Sequence, residues 1–570
     1  MVLWRSEQPD IQIPTNLTTW QWAFESNVFS PLKYSRRNKL GYYEDAETKE
    51  RLDFVDVKEK AASLSTALVR RYGLRPRDTI SLFSSNNIWY PVALWATVRV
   101  GGRINGASPA YNAEEMAYAL KTAKSKFLFT LPKALPVAMA AANIAGLSKD
   151  RIFLLEGQVK GFTTIQELIE AGKQYSPVPA YVIPRGMSNA QICGYLNFSS
   201  GTTGHPKAIQ LSHHNIIAQC HQLRQIQAVE PGQQYRILAV TPLFHITGLV
   251  RYVHYALFMN GCSIMMSAFD LEKMLRATIS YQIPELILVP PIIIRVVRDP
   301  VVAKYKDGLR RTIKRWSSGS APISAEILEQ LRALFPESGF RQGYGSTEST
   351  ACITAHPPTA YDFKYATSAG KLCANTVAKI VDLEDPTKEL GPNQLGELWA
   401  KGPQVSSMGY LDNPQATAET FDVDGFFHTG DVGRFDSEGF LYIEDRIKEM
   451  IKVRGQQVPP AELEDVLLGH DAVEDCAVLG IPDDYSGEKP KAYVVLKPGQ
   501  VASEELGRQL LGWVQARKSR YKWLREVEFT DSVPKSPTGK LLRRILKANE
   551  RAPRARGICV RDDANVRAKL

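Results

Sequence analysis

The chain has 570 residues, 44% hydrophobic, 9% aromatic and 23% charged, ordinary globular usage that excludes a disordered, collagen-like or coiled-coil protein. At about 150 residues per domain the length allows several domain equivalents, which large α/β cores merge into fewer units. Lys and Arg number 70 against 60 Asp and Glu, a formal charge of +10. That excess is dispersed rather than gathered into an arm, which points to anionic small molecules and away from nucleic acid.

Helical periodicity predicts helices over Val57–Arg71 and Ala113–Thr122, alternating with β-branched runs at Thr79–Phe83, Lys126–Thr130 and Leu286–Val289. Such alternation predicts an α/β fold of parallel or mixed sheets covered by helices. The first residues carry no apolar leader, and the greasiest stretch, Leu286–Val297, is interrupted by Pro290, Pro291 and Arg295, so neither export nor a membrane span is expected. Seven Cys, odd in number and with no C-x-x-C spacing, argue against a disulfide framework or zinc site and fit a reducing compartment.

Near residue 446 the texture changes. Charged Asp445-Arg446-Ile447-Lys448-Glu449 leads to Pro459-Pro460 and a helix carrying Leu463, Val466 and Leu467, a plausible domain start. The expected architecture is a large multi-sheet N-terminal domain over 1–446 and a small α+β C-terminal domain over 447–550. The latter has strands at Cys476–Leu479 and Ala492–Leu496 and a helix from Glu504 to Lys518. A loose basic tail is expected over 551–570.

The densest chemical signal is Ser199-Ser200-Gly201-Thr202-Thr203-Gly204-His205-Pro206-Lys207. Hydroxyls, flexible glycines and a terminal Lys suit a polyphosphate, although a Ser/Thr/Gly cluster also makes an ordinary surface turn. Pro206 separates Gly204 from Lys207 and both flanks alternate like strands, so this is a hairpin loop and not a Walker A loop. Downstream come Pro242-Leu243-Phe244-His245-Ile246-Thr247-Gly248, then Ser317-Ser318-Gly319-Ser320-Ala321-Pro322, a turn of small residues. In Gln342-Gly343-Tyr344-Gly345-Ser346-Thr347-Glu348, glycines flanking an aromatic suit an adenine slot. Thr347 offers a hydroxyl to an α-phosphate, and Glu348 is a hard oxygen ligand for Mg²⁺. Asp431, in Thr429-Gly430-Asp431, can chelate ribose hydroxyls with help from Arg446. Pro534-Lys535-Ser536-Pro537-Thr538-Gly539-Lys540 presents a Lys just before a helical run, a position the helix dipole disfavours.

In this order, and over nearly the whole chain, these motifs resemble the adenylate-forming superfamily of acyl-CoA ligases, luciferases and peptide-synthetase adenylation domains, and among them the coumarate-CoA ligase branch. The resemblance implies an ATP-dependent acyl-CoA ligase that activates a carboxylic acid as acyl-AMP with release of pyrophosphate and then passes the acyl group to coenzyme A. The alternatives are loading of a carrier-protein phosphopantetheine, or luciferase-like oxidation of the adenylate. By the same match Lys540 bridges the acyl carboxylate and the α-phosphate, and His245 gates and orients the acid. Gly319, Ser320 and Ala321 join Gln342, Gly343, Tyr344 and Gly345 around the nucleotide. Lys448 falls at the hinge of a swinging C-terminal domain, and Lys452, Gly455 and Gln457 belong to the face that enters for thioester formation, Gly455 leaving space for the pantetheine arm.

The acyl positions implied by the resemblance are His245, Ile246, Thr247, Ser317, Gly343, Ala351 and Cys352, mostly small. They suggest a roomy, largely apolar tunnel for a medium-chain, aryl or polyketide-like acid. One departure is Ala208, where family members usually have Gly after the loop Lys. Lys207 is expected to tolerate substitution better than Lys540. The chain finishes Ala568-Lys569-Leu570, close to the Ser-Lys-Leu tripeptide read by the peroxisomal import receptor, so a peroxisomal address is expected ahead of a cytoplasmic one.

Overall fold

The computed structural model describes residues 2–33, 39–199, 206–227, 229, 233–321, 323–454, 456–483, 486–536, 539–551 and 557–562. A parallel run of strands, Cys193–Ser199, Arg103–Ala107, Thr79–Phe83, Ser125–Thr130, Ile152–Leu154 and Thr163–Thr164, is closed on one edge by antiparallel Lys207–Ser212. Its covering helix, Phe54–Tyr72, starts at a capping box on Asp53 and stops at Gly73, whose φ of 70° lets the chain turn left-handed. The helix Ala113–Thr122 is likewise boxed, by Asn112 and Glu115.

A second sheet pairs Glu285–Leu288, Arg315–Ser318 and Gly339–Tyr344 in parallel, followed by antiparallel Thr354–Ala355 and Lys371–Leu372. A third joins Arg236–Ala239, Cys262–Met265, Tyr42–Asp45 and Arg51–Asp53. A fourth, wholly antiparallel, carries Val377–Val381, Gly396–Lys401, Phe427–Phe435 and Leu441–Arg446. Among the described residues no helix is long and apolar enough to cross a membrane.

Residues 451–561 build their own sheet, with Val473–Asp483 on Gly487–Leu496 as its longest hairpin. The helices Pro460–Leu468 and Glu504–Gln515 pack on it around Leu463, Val478, Val494, Leu510 and Val527. Here the tail expected from residue 551 needs correction. Cys559–Arg561 is an edge strand on Glu526–Phe529, with Val560 buried against Gly507. Three apolar residues, Ile558-Cys559-Val560, bracketed by Arg-rich sequence are too short a pattern to announce a strand. Below that strand the Lys491 ammonium lies 2.8 Å from Glu526, 2.7 Å from Glu528 and 2.7 Å from Glu550. This buried cation fills the one place among the described residues where Glu526, Glu528 and Cys559 could together ligate a metal.

The two parts meet along two seams. Arg298 of the large part donates to the carbonyls of Leu468, Val473 and Glu474. The small part's Gly539, at φ 77°, comes so near the large part that a Cβ would stand 3.1 Å from Pro291. Only glycine accommodates both demands at that position.

Candidate active site

The parallel strands Glu285–Leu288, Arg315–Ser318 and Gly339–Tyr344 all end at one cleft, and the segments after their carboxyl ends line it, where open α/β sheets place their ligands. The cavity, about 520 Å³, takes walls from Val289, Gly319, Ser320, Tyr344, Gly345, Thr347 and Glu348. The edge hairpin contributes Ser199 and Lys207, which face each other as its last paired rung. Ser200, Gly201, Thr202, Thr203 and Gly204 lie outside the described residues. The antiparallel sheet contributes Asp431 and Arg446, also directly paired, and the small domain reaches in with Lys540.

At one end, Tyr344 donates its hydroxyl to Asp431 Oδ2 at 2.6 Å, and Arg446 Nε stands 3.3 Å from Oδ1. Burial raises the pKa of Asp431 against the pull of Arg446 and Tyr344. The Ser318 hydroxyl is buried without a partner among the described residues and lines the same cavity, leaving a polar group for a bound molecule to satisfy. Gly345 has no room for a side chain, because a Cβ would run into the Ala351 carbonyl. Tight chain reversal at Ser320, φ 74°, and at Thr350 and Ala351, φ 53° and 98°, puts non-glycine residues in the left-handed region, a local strain of the kind that gathers at sites.

Glu348 accepts from the Tyr410 hydroxyl at 2.8 Å through Oε1, while its second oxygen has no protein donor among the described residues. A buried, half-free carboxylate at a polyphosphate pocket fits Mg²⁺, a hard cation that keeps waters and takes few protein ligands. Tyr410 also carries the Lys207 ammonium 5.1 Å from its ring centre, so one side chain, given no role by the sequence reading, links the loop Lys to Glu348.

Midway, His245 caps the short helix Ile246–Gly248, its Nδ1 accepting from the Thr247 N–H at 3.3 Å. Burial, with the Lys540 ammonium adding to it, lowers the imidazole pKa to about 4. Burial and the nearby Arg446 likewise bring Lys540 down to about 8, against the opposing carboxylates Glu449, Asp431 and Glu348.

The far end departs from the apolar tunnel expected there. Ile246, Thr247, Ser317, Gly343, Ala351 and Cys352 do line it, but Arg251 and Arg341 stand among them. Both are buried. Arg251 follows His245 by six positions in an apolar run, and that isolated charge was the available signal. Arg341 shares a strand face with Gly343, whose missing side chain leaves it open to the cavity.

Other expected positions fall elsewhere. Gln342 turns away, its backbone N–H donating to His356 and its amide to the Ala366 carbonyl, and Ala321 is not in the cavity wall. Lys448 is exposed at the mouth. Lys452 and Gln457 face each other on an exposed hairpin outside the cavity, and Gly455 between them lies outside the described residues. Glu397, His428 and Thr429, none of them given a role from the sequence, complete the nucleotide-side wall, with Glu397 accepting from the Gly430 N–H at 2.9 Å.

Fold and site together define an AMP-binding enzyme with a large and a small domain. Residues 34–411 match the family model for the AMP-binding enzyme and 462–540 that for the AMP-binding enzyme C-terminal domain, and the chain belongs to this family. It is 34% identical over 543 residues to peroxisomal OPC-8:0-CoA ligase 1 of Arabidopsis thaliana, covering 95% of each chain. It is 31% identical to 4-coumarate--CoA ligase 2 of Nicotiana tabacum, over 96% of this chain and 97% of that one. Among solved structures, ATP-bound MatB from Rhodopseudomonas palustris superposes with a TM-score of 0.81 at 25% identity, covering 94% of this chain and 99% of that chain.

Proposed function

We propose that the protein is an ATP-dependent acyl-CoA ligase of the AMP-forming class. The observation that carries this is one cavity in which Ser199 and Lys207, the Tyr344–Asp431–Arg446 group, Glu348, His245 and Lys540 converge from separate sheets and both domains. The names of the relatives support it, since they are CoA ligases over nearly the full length of this chain.

In the first half-reaction a carboxylate oxygen of the acid attacks the α-phosphorus of ATP, the new P–O bond forms, and the bond to pyrophosphate breaks. Asp431 and Arg446 hold the ribose, Thr347 the α-phosphate, and Ser199 and Lys207 the departing phosphates. Lys540 sits where negative charge gathers between acid and α-phosphate, which is where a preorganised cation lowers the barrier. Mg²⁺ would be held by Glu348 and would neutralise charge on the polyphosphate. A depressed imidazole pKa leaves His245 neutral at working pH, suited to orienting the acid and to shielding it from water rather than to giving a proton.

In the second half-reaction the thiol sulfur of coenzyme A attacks the acyl carbon, AMP leaves with the electron pair of the acyl–oxygen bond, and the thiol proton passes to solvent. Lys452 and Gln457 are the residues proposed to serve this step. Their place on an exposed hairpin supports a turn of the small domain about Lys448 between steps. We further propose peroxisomal residence, through Ala568-Lys569-Leu570 and its import receptor; the tripeptide lies outside the described residues, and the peroxisomal name of the Arabidopsis relative supports the reading.

The test is product analysis with ATP, magnesium and a broad panel of carboxylic acids. The expected result is pyrophosphate without coenzyme A, then AMP and acyl-CoA once it is added. ADP as the nucleotide product, or AMP release that coenzyme A does not accelerate, would sink the proposal.

A further inference from the structure

The far end of the cavity holds more positive charge than the protein itself neutralises. Behind its wall lies the carboxylate of Glu285, with Arg315 at 2.8 Å and Arg341 at 2.5 Å, and with Ser317 also donating to it. Burial opposes the charge on Glu285, yet Arg341 and Arg315, with Arg251 further off, hold it well below the usual carboxylate range. One anion therefore faces three buried guanidiniums.

Arg315 and Arg341 are engaged. Arg341 adds bonds to Ser317 Oγ at 3.3 Å, the Ile226 carbonyl at 3.4 Å and Gln227 Oε1 at 3.4 Å. Arg251 is not so satisfied. Of the several N–H donors on a guanidinium, it uses one, NH1 to the neutral Gln227 Oε1 at 3.3 Å, and no carboxylate lies within ion-pair distance of it among the described residues. Its guanidinium carbon rests 5.7 Å from the Tyr255 ring centre, and the side chain is only 5% exposed. That remaining surface is cavity wall.

A buried cation with unfilled donors is costly unless something completes its shell. Water can do so in the empty cavity, but a bound acyl chain expels water. An apolar chain end would leave Arg251 without partners, whereas an acidic one would complete them and balance the surplus charge. From this geometry we infer that the acyl substrate carries a second acidic group, a carboxylate at the end remote from the reacting one, received by Arg251 with Arg341 beside it. This rests on the adenylation reading above and adds the substrate class to it. Neutral acids of the same shape are rejected because they strand the guanidinium, the asymmetry by which polar sites discriminate strongly.

The experiment measures kcat/KM for acid-dependent pyrophosphate release with dicarboxylic acids from succinate to sebacate, and terephthalate, each paired with its monomethyl ester. The expected result is at least one pair in which the diacid is favoured about 100-fold or more. In Arg251→Met that ratio collapses to within about tenfold. Arg251→Gln, which keeps part of the polarity and guards against a misfolded Met variant, lowers it to an intermediate value; melting with and without MgATP reports whether each variant is folded. Esters or simple monocarboxylates used as well as every diacid, or a ratio that neither variant moves, would overturn the inference while leaving adenylation intact. Failure of every acid to release pyrophosphate would instead overturn the adenylation reading, and the inference with it.

Discussion

The two ends of the cavity are built on opposite electrostatic plans. At the nucleotide end Asp431 meets Arg446 across a strand pair and Tyr344 from the next sheet, while burial keeps the pKa of this carboxylate above its usual value. At the acyl end Glu285 lies among guanidiniums that hold its pKa well below the usual range. Desolvation wins over pairing at the first and loses at the second. The first carboxylate is therefore poised for a ligand to bond, and the second is locked into the framework that displays Arg251 and Arg341.

The largest effect expected is at Lys540, which lies between the two ends. Lys540→Ala should cut acid-dependent ATP–pyrophosphate exchange by about 100- to 1,000-fold, the scale for losing a preorganised charge at a developing anion. Conversion of synthetic acyl-AMP to acyl-CoA should change only several-fold, and an equal loss in both steps would remove the distinction between them. The wild type should also show kcat/KM for adenylation falling about tenfold per pH unit above about 8. That is where Lys540 loses its proton in the free enzyme. Retention of the fall in a Lys540→Arg variant that remains active would assign it to another group, because Arg stays charged there.

The carboxylates give the next contrast, in stability. Glu285, with its folded pKa lowered, contributes stability that is present above its unfolded pKa and is lost as pH falls through the folded one. Glu285→Gln leaves Arg315 and Arg341 unpaired in the interior, so about 3 kcal/mol of unfolding free energy should disappear, read as a lower urea midpoint at neutral pH. Asp431 has the opposite sign. A carboxylate with a raised folded pKa costs stability when charged, and that cost vanishes as pH falls below the unfolded value. Asp431→Asn should leave the urea midpoint unchanged or higher while raising the KM for ATP about tenfold through loss of a charged acceptor. Similar destabilisation by both substitutions would erase the contrast.

How much of this was legible in the sequence differs between the same two ends. Around the nucleotide, small residues and hydroxyls must sit consecutively because backbone has to approach the ligand, so Gly343-Tyr344-Gly345 and Thr429-Gly430-Asp431 stand out as strings. Element bounds were legible too: the strand Thr79–Phe83 and the helix Ala113–Thr122 match their predicted spans, since periodicity is local. The acyl wall is not a string. Arg251 follows His245 on a helical turn, Arg341 precedes the Gly-Tyr-Gly segment, and Glu285 begins a strand that the apolar pattern starts only at Leu286. Only the parallel pairing of Glu285 with Arg315 and of Ser317 with Arg341 brings them together, and register between distant strands is not written in either strand alone. The contact of Tyr410 with Glu348 escaped for the same reason, as it spans 62 positions.

The smallest effect expected is at Lys207, and it sharpens the contrast with Lys540. Both are cations in one cavity, but Lys207 begins a hairpin strand and its ammonium already has a neutral partner in the Tyr410 ring, 5.1 Å away. Among the described residues Lys540 stands over no aromatic ring, and burial and the charge of Arg446 outweigh the carboxylates Glu449, Asp431 and Glu348 that favour its own. A cation that touches phosphates destined to leave is bound about equally in ground and transition states, and uniform binding changes KM more than kcat. Lys207→Ala should therefore raise the KM for ATP by roughly tenfold or less with kcat within about threefold. In Tyr410→Phe, which keeps the ring but removes the hydroxyl bond to Glu348, the Lys207 contact should survive while the carboxylate loses its orienting donor. The magnesium concentration needed for half-maximal rate should then rise in Tyr410→Phe and stay unchanged in Lys207→Ala. If it rises in both, the two groups act as one unit, and the separation between loop cation and metal-binding carboxylate is wrong.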